Sequence, residues 1–166
     1  MSSTLTTFTT LTPKRPTFFY QDNEIRAGGI LFYRFTNKGK VEVLLSNKNN
    51  RYEDIGGKTD SVDKTILDTI SREVHEETNG LFNSNVVASQ LYKNRDNGIS
   101  NGKYLLFVIK ANSYERKCTS EEFSDHEILY DIPRTMHWVS LECLSHLQLH
   151  PRLSLKQIYS IFSINS

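Results

Sequence analysis

The sequence predicts a mixed α/β or α+β domain built around a mixed β-sheet. Apolar runs of strand length lie at Ile25–Thr36 and Lys103–Lys110, and an amphipathic helical pattern lies between them over Thr65–Asn79. Strand and helix patterns alternate along the chain, which favours a sheet covered by helices. A chain of 166 residues is long enough for one such domain with a sizeable core.

Before the helix, the pattern predicts a hairpin followed by a short third strand. The predicted elements are a strand over Ile25–Thr36, a turn over Asn37–Lys40, a strand over Val41–Ser46, a polar loop over Lys48–Arg51 and a short strand over Tyr52–Ile55. Gly28 and Gly29 interrupt the first strand and indicate a bulge or the close approach of another element. Gly56-Gly57 predicts a turn that leads towards the helix.

After the helix, the chain predicts further strands and two helices. In order, these are a strand over Val86–Tyr92, a central strand over Lys103–Lys110, a long polar loop over 112–127, a strand over His137–Ser140, a short helix over Leu141–Leu147, and a helix after Pro151. Leu155, Ile158 and Phe162 give this last helix its apolar spacing.

Composition indicates an ordinary water-soluble protein of the cytoplasm. Hydrophobic residues make up 37% and charged residues 23%, and the formal net charge of +1 creates no global attraction to nucleic acid or membrane. Cys118 and Cys143 lie far apart without a CxxC motif, which favours a reducing compartment. No apolar run reaches the length of about 18–20 residues that a membrane span needs.

The first 17 residues differ from the rest of the chain. They are rich in Ser and Thr, contain Lys14 and Arg15, and carry no acid. We expect a flexible leader over 1–17 and a single domain over 18–166, with organellar targeting as the alternative role of the leader.

The helix over Thr65–Asn79 carries an unusual row of acids. Glu73, Glu76 and Glu77 form a stripe beside the apolar face, and the i,i+3 and i,i+4 spacings make Glu73 a neighbour of both others. Each like-charge pair costs roughly 0.2–0.5 kcal/mol, and anions near a helix C-terminus also oppose the helix dipole. Either the acids form a solvated face, or they bind a hard divalent cation such as Mg²⁺, which prefers carboxylate oxygens.

These residues match a known motif. Gly57 followed by Arg72–Thr78, REVHEET, resembles the box of the Nudix hydrolase family, G-x5-E-x7-R-E-U-x-E-E-x-G-U, in which U is aliphatic. The REVHEET core is a full match. One extra residue precedes Arg72, the first acid of the box is Asp60 or Asp63 rather than Glu, and Asn79 is an extra residue before Gly80. Insertions at loop ends are the best tolerated.

The resemblance implies an α/β/α sandwich and a fold-wide correspondence from about Ile25 to Phe162. It implies a pyrophosphohydrolase that acts on a nucleoside diphosphate linked to another group, with Mg²⁺ or Mn²⁺ as cofactor. By motif position, Glu73, Glu76 and Glu77 are expected to bind the metal, and the carbonyl of Gly56 is a further expected ligand. Arg72 is expected to orient the carboxylates.

The proton acceptor and the substrate contacts are less fixed by the motif. The alternatives for the proton acceptor are two helix acids, Glu76 and Glu77, and four loop acids, Glu121, Glu122, Asp125 and Glu127. Among the loop acids, Glu127 is preferred. Arg51, Tyr52 and Lys58 flank the Gly-Gly pair and are the expected substrate-binding residues. Arg95, Lys103 and Arg134 either contact phosphates or are solvated surface cations, and the second role is expected for each.

Three other functions remain open at this point. A Nudix-like domain without catalysis would bind a nucleotide, and a protein without a site would carry the glutamates as surface charge. An mRNA-decapping type of enzyme would need a basic track, which Lys93, Arg95 and Lys103 would supply although the net charge does not favour it. The family also includes many homodimers, but the sequence shows no interface.

Overall fold

The computed structural model describes residues 13–162. Its strands are β1 Phe18–Tyr20, β2 Asn23–Ile25, β3 Ala27–Phe35, β4 Val41–Lys48, β5 Arg51–Glu53, β6 Ile55–Lys58, β7 Ile99–Asn101, β8 Tyr104–Lys110, β9 His126–Glu127, β10 Ile132–Pro133 and β11 Thr135–Ser140. Its α-helices are α1 Ile66–Glu77, α2 Ser84–Lys93 and α3 Leu155–Ile161, and short 3-10 helices cover Glu115–Lys117 and Leu141–His146.

Over residues 13–162, the main sheet has seven strands. It is a mixed sheet, as the sequence predicts. Its order is β11-β4-β3-β8-β7, with β5 added to β4 and β6 added to β3. Strand β3 runs parallel to β8 and antiparallel to β4 and β6. The predicted fold class, an α/β domain with a mixed sheet, is therefore confirmed.

One edge of β3 is shared by two strands. Strand β8 pairs with one edge of β3 over Ala27–Tyr33. On the opposite edge of β3, β6 and then β4 pair one after the other. Strand β6 pairs with Ala27–Ile30, and β4 pairs with Tyr33–Phe35. Strand β5 pairs with the far half of β4, so the segment from β5 to β6 fills the fork between the two diverging strands.

Helices cover both faces of the sheet and make three layers. On one face, Ile70 and Val74 of α1 and Val87 and Leu91 of α2 pack against sheet residues such as Phe32. On the opposite face, the 3-10 helix Leu141–His146 and helix α3 pack against alternate residues of the same strands, a cluster that contains Leu31, Val43, Leu45, Leu141, Leu144 and Ile158. The alternation of side chains along β3 and β4 produces these two cores.

Gly56 and Gly57 form a strand, so the predicted Gly-Gly turn is wrong. They pair with Gly29 and Gly28 of β3, and none of the four has a positive φ. Their role is to leave space: a Cβ on Gly28 would lie 2.8 Å from Ile70 Cδ1, and a Cβ on Gly57 would overlap the Glu73 carboxylate. The predicted close approach at Gly28 and Gly29 is therefore correct, and helix α1 is among the elements that approach.

The strand predicted over Val86–Tyr92 is also wrong, because the segment belongs to helix α2. The Asn83 side chain caps the helix by accepting hydrogen bonds from the backbone N–H groups of Asn85 and Val86. Val87 and Leu91 are four residues apart and are both completely buried. Packing against α1 and the sheet therefore overrides the local preference of paired valines for a strand.

The other predicted elements are present, with boundaries shifted by a few residues. The turn over Asn37–Lys40, the strand over His137–Ser140, the helices after it and the largely irregular loop over 112–127 are all found. Much of the predicted leader, residues 1–12, lies outside the described residues, as do 163–166. At the described end of the leader, the Pro16 carbonyl accepts a hydrogen bond from Thr59 Oγ1 at 2.7 Å. Among the helices described, none has the length and apolarity to cross a membrane.

The glycine patch gives a stability prediction. Gly28→Ala should destabilise the protein by about 1–3 kcal/mol in urea unfolding, because the new methyl group collides with Ile70 and with the Leu105 carbonyl. The loss should shrink in an Ile70→Val background, which removes the Cδ1 atom. Strictly additive effects of the two substitutions would contradict the steric explanation.

Candidate functional site

Helix α1 begins with a cap that fixes its position at the end of a tight loop. Thr65 Oγ1 accepts a hydrogen bond from the Asp68 backbone N–H, and the Asp68 carboxylate accepts one from the Thr65 N–H. This reciprocal pair satisfies two of the free N–H groups at the helix start. The helix then places its acids about two to three turns later, with the Glu73 carboxylate against Gly57 of strand β6.

Arg72 is the centre of a charged cluster on this helix. Its Nε and Nη2 donate to the two carboxylate oxygens of Asp63, each at 3.0 Å, and its Nη1 donates to Glu73 at 2.8 Å and Glu76 at 3.3 Å. Nη2 also donates to the Lys58 carbonyl. The Asp63 carboxylate is therefore the acid of the loop that faces Arg72, and the orienting role of Arg72 stays a prediction. The hydrogen bonds to Asp63 raise the pKa of Arg72 further.

Glu77 is the most buried acid of the stripe. Its Oε1 accepts a hydrogen bond from Lys48 Nζ at 2.8 Å, and Lys48 also lies 3.1 Å from Glu53. Among the described residues, nothing donates a hydrogen bond to the buried Glu77 Oε2. Burial raises the pKa of Glu77 to about 8, even though the positive charge of Lys48 acts in the opposite direction. This oxygen, which has no partner among the described residues, is one that could hold a metal ion.

Glu127 lies beside these acids although it is 50 residues further along the chain. It is 4% exposed, and burial raises its pKa while the charge of Lys48 lowers it. Burial likewise raises the pKa of Glu76, and the charges of Glu73 and Glu127 add to the rise. Of the four loop acids considered from the sequence, Glu127 is the one that the structure brings to the helix; Glu121, Glu122 and Asp125 are exposed.

Asn79 holds the Glu127 segment against the helix. Its Nδ2 donates to the carbonyls of Phe123 and His126, at 3.1 and 3.0 Å, and its Oδ1 accepts from the Ile128 N–H at 2.8 Å. Asn79 has a φ of +53°, a left-handed conformation that Asn tolerates better than most residues. The residue that is extra to the Nudix-box pattern therefore fixes the backbone on both sides of Glu127.

Arg134 is buried, so the prediction of a solvated surface cation is wrong. It is 2% exposed, its Nε and Nη2 donate to the Glu77 carbonyl, and its Nη1 donates to the Ser124 carbonyl at 2.8 Å. A cation at the end of a helix is favourable because the last carbonyls carry partial negative charge. Burial lowers the pKa of Arg134.

A second polar network lies beneath strand β6, at the fork in the sheet. The completely buried Asp54 accepts hydrogen bonds from Tyr104 Oη at 2.5 Å and from Arg152 Nε at 2.7 Å. The Arg152 guanidinium stacks over the Tyr104 ring and lies 3.6 Å from Glu53. Glu53 therefore connects this network to the Lys48–Glu77 pair.

The expected substrate residues occupy different places. Arg51 is exposed on β5, and the Tyr52 side chain packs in the second core while its backbone bonds to Gln148 and His150. Lys58 is exposed at the end of β6. Gly56, the expected carbonyl ligand, is buried in β6 opposite Gly29. The substrate and metal roles of these residues stay predictions.

The site carries more acids than cations. Among the described residues, the carboxylates are those of Glu53, Asp63, Glu73, Glu76, Glu77 and Glu127. The cations that face them are Arg72, Lys48, Arg134 and, beside Glu53, Arg152. Within the described part of the chain, no three His, Cys, Asp or Glu side chains are already gathered as a metal-binding group. Ion pairs to Arg72 and Lys48 instead hold the acids.

Several residues of the site could not be identified from the sequence. Lys48 and Glu53 are ordinary polar residues at strand ends, and Asp54 and Arg152 come together from positions 98 residues apart. For Glu53 and Asp54, the available signal in the sequence was their position just before the Gly56-Gly57 pair. Nothing in the sequence marked Arg134 or Arg152 as buried.

The fold of the chain is found among solved structures. No protein-family model and no curated protein matches the sequence. A crystal structure of a Nudix hydrolase from M. smegmatis, RenU, matches with a TM-score of 0.50 and 16% sequence identity, covering 89% of this chain and 96% of that chain. At this identity the likeness concerns the fold, and it agrees with the Nudix-like α/β/α architecture expected from the motif.

The Asp63–Arg72 pair predicts a pH-dependent contribution to stability. Burial alone would raise the pKa of Asp63, but its hydrogen bonds, chiefly those from Arg72, outweigh this effect and lower the pKa. Asp63→Asn should therefore lower the free energy of unfolding by about 2 kcal/mol at pH 6, above the unfolded-state pKa of about 3.9. The difference from wild type should disappear as the pH falls through the lowered folded-state pKa. A difference that is constant from pH 6 to pH 2.5 would contradict the ion-pair explanation.

The Asn79 contacts predict a change in local dynamics. Asn79→Gly removes the three side-chain hydrogen bonds but keeps a residue that tolerates the positive φ. Amide hydrogen exchange in 123–128 should become at least about tenfold faster, because the loop loses its attachment to α1, while exchange in β3 and β8 should not change. Unchanged exchange in the loop would show that other contacts hold it. Asn79→Ala should lose additional stability through backbone strain.

Proposed function

We propose that this protein is a metal-dependent hydrolase that cleaves the diphosphate linkage of a nucleoside diphosphate joined to another group. The REVHEET motif and the Nudix-like fold support this reaction class. The observation that carries the proposal is the surplus of carboxylates around Arg72 and Lys48, with one buried oxygen of Glu77 left without a partner.

The residues present suit Mg²⁺ or Mn²⁺. Glu73, Glu76 and Glu77 would hold the ion through carboxylate oxygens, and the Gly56 carbonyl would add a neutral oxygen, a ligand set that hard divalent cations prefer. The raised pKa values of Glu76 and Glu77 reflect burial that a cation would offset. When bound, the metal would neutralise phosphate charge and lower the pKa of a water molecule.

The chain itself would supply proton transfer and orientation. Glu127 is the proposed proton acceptor, because its buried carboxylate lies among the helix acids and the Asn79 contacts fix the backbone around it. Its raised pKa brings it closer to the working range of a general base near neutral pH. Glu76 and Glu77 remain alternative acceptors. Arg72, fixed by Asp63, would set the direction of Glu73 and Glu76.

A small nucleotide-derived substrate is favoured over capped RNA. Of the three cations considered for an RNA track, Lys103 pairs with Glu24 at 3.3 Å and Arg95 stacks over the Tyr92 ring. Lys93 lies in the last turn of α2. These contacts already engage Lys103 and Arg95, which argues against a prepared RNA-binding surface.

Substitution of the helix acids tests the proposal. Glu76→Gln and Glu77→Gln should each reduce turnover by about a hundredfold or more, because each removes a charged oxygen from the proposed metal site. Turnover is measured as magnesium- or manganese-dependent release of phosphorylated products from a panel of nucleoside diphosphate derivatives, with products identified by mass. Addition of EDTA should abolish it.

Glu121→Gln is the matched control, since it removes the same charge from an exposed position on the loop. Its turnover should equal that of wild type, and circular dichroism should show that all three variants are folded. Near-normal turnover of both Glu76→Gln and Glu77→Gln would refute the proposed site. Binding of nucleotides without any hydrolysis across the panel would favour a silent binding module.

A further inference from the structure

A cavity of about 530 Å³ opens on the sheet where the first residues of β3 and β8 meet the end of β6. Its wall is formed by residues that come from five separate parts of the chain: Arg15, Arg26, Ala27, Gly57, Lys58, Thr59, Asn101, Lys103, Tyr104, His150 and Arg152. The acids of helix α1 do not line it. It is therefore a second concave site, which adjoins the row of carboxylates at Gly57.

The charged side chains of this wall are all positive. Among the described residues that line it, five are Arg or Lys and none is Asp or Glu. Carboxylates outside the lining compensate three of these cations. A single acid, Glu24, forms ion pairs with both Arg26, at 2.8 Å, and Lys103, at 3.3 Å. Buried Asp54 and Glu53 compensate Arg152.

Two of the five cations have no such compensation. Within residues 13–162, no carboxylate lies within ion-pair distance of Arg15 or Lys58, although each is close to the shared cavity. The backbone around both is tied down: the Pro16 carbonyl accepts from Thr59, and the Lys58 carbonyl accepts from Arg72. Like charges brought together around one cavity repel one another, and a bound anion would remove that repulsion.

We propose that this cavity binds a compact polyphosphate group. Arg and Lys side chains are the usual partners of phosphate oxygens, with Arg donating two hydrogen bonds at once. The volume matches that of small-molecule sites rather than an open groove for a nucleic-acid strand. The Tyr104 ring is 8% exposed and already covered by Arg152, so charge rather than base stacking provides recognition.

The proposal does not depend on hydrolysis. Inorganic tripolyphosphate is the probe, and calorimetry in the presence of EDTA measures its binding without any contribution from a metal. Wild type should bind it with a 1:1 stoichiometry. Arg15→Gln combined with Lys58→Gln should weaken binding by at least about tenfold, since each change removes a charged hydrogen-bond donor and leaves no acid unpaired.

The matched control is Lys38→Gln combined with Lys93→Gln, which changes the net charge equally at exposed positions away from the cavity. It should bind tripolyphosphate like wild type. Equal weakening in both double variants, or no binding to wild type, would overturn the proposal. A single-stranded RNA that binds more tightly than tripolyphosphate and loses the same affinity in the cavity variant would also overturn it, in favour of a nucleic-acid site.

Inhibition of turnover distinguishes two sources of the polyphosphate. If the cavity holds the phosphates of the hydrolysed substrate, tripolyphosphate should inhibit competitively, and the cavity variant should have a raised KM. If it holds a separate effector, inhibition should not be competitive. Either pattern is consistent with the proposed ligand, and a failure of the hydrolase proposal would leave the calorimetric result unaffected.

Discussion

The candidate site depends on the close packing of helix α1 against one pair of glycines. Gly28 and Gly57 face the helix, and because neither carries a side chain, Ile70 packs on Gly28 and the Glu73 carboxylate lies directly on Gly57. Gly29 and Gly56 face the opposite way, towards the Tyr104 hydroxyl. Larger residues at positions 28 and 57 would push the helix outward, away from the buried surroundings that raise the pKa of Glu77.

Charge compensation explains how a row of glutamates is tolerated in the folded chain. Arg72 and Lys48 each contact more than one carboxylate, and Arg134 stabilises the carbonyl at the end of the helix. Arg72 and Lys48 hold the acids in the folded chain, yet the carboxylates outnumber the cations around them. The same contacts therefore contribute to stability and leave an excess of negative charge at the candidate site.

The sequence predicts the parts of this arrangement that depend on local pattern. The apolar periodicity is sufficient to locate helix α1, and the spacing of its acids is sufficient to identify the candidate site. Residues joined by long-range packing were not predictable: Val87 and Leu91 form a helix because the core accepts them, and Arg134 is buried because the end of α1 needs a donor. The Gly-Gly pair was misassigned because glycine is common in turns, whereas here its small size is what the packing requires.

The fork in the sheet has a mechanical consequence. The chain passes from β4's partner, β5, to β3's partner, β6, through the single residue Asp54, which Tyr104 and Arg152 hold in place. A change in the angle between β3 and β4 would therefore move the backbone at Asp54. Because Gly57 lies three residues further on, this movement would change two distances together: the distance from the helix acids to the β6 backbone and the width of the basic cavity.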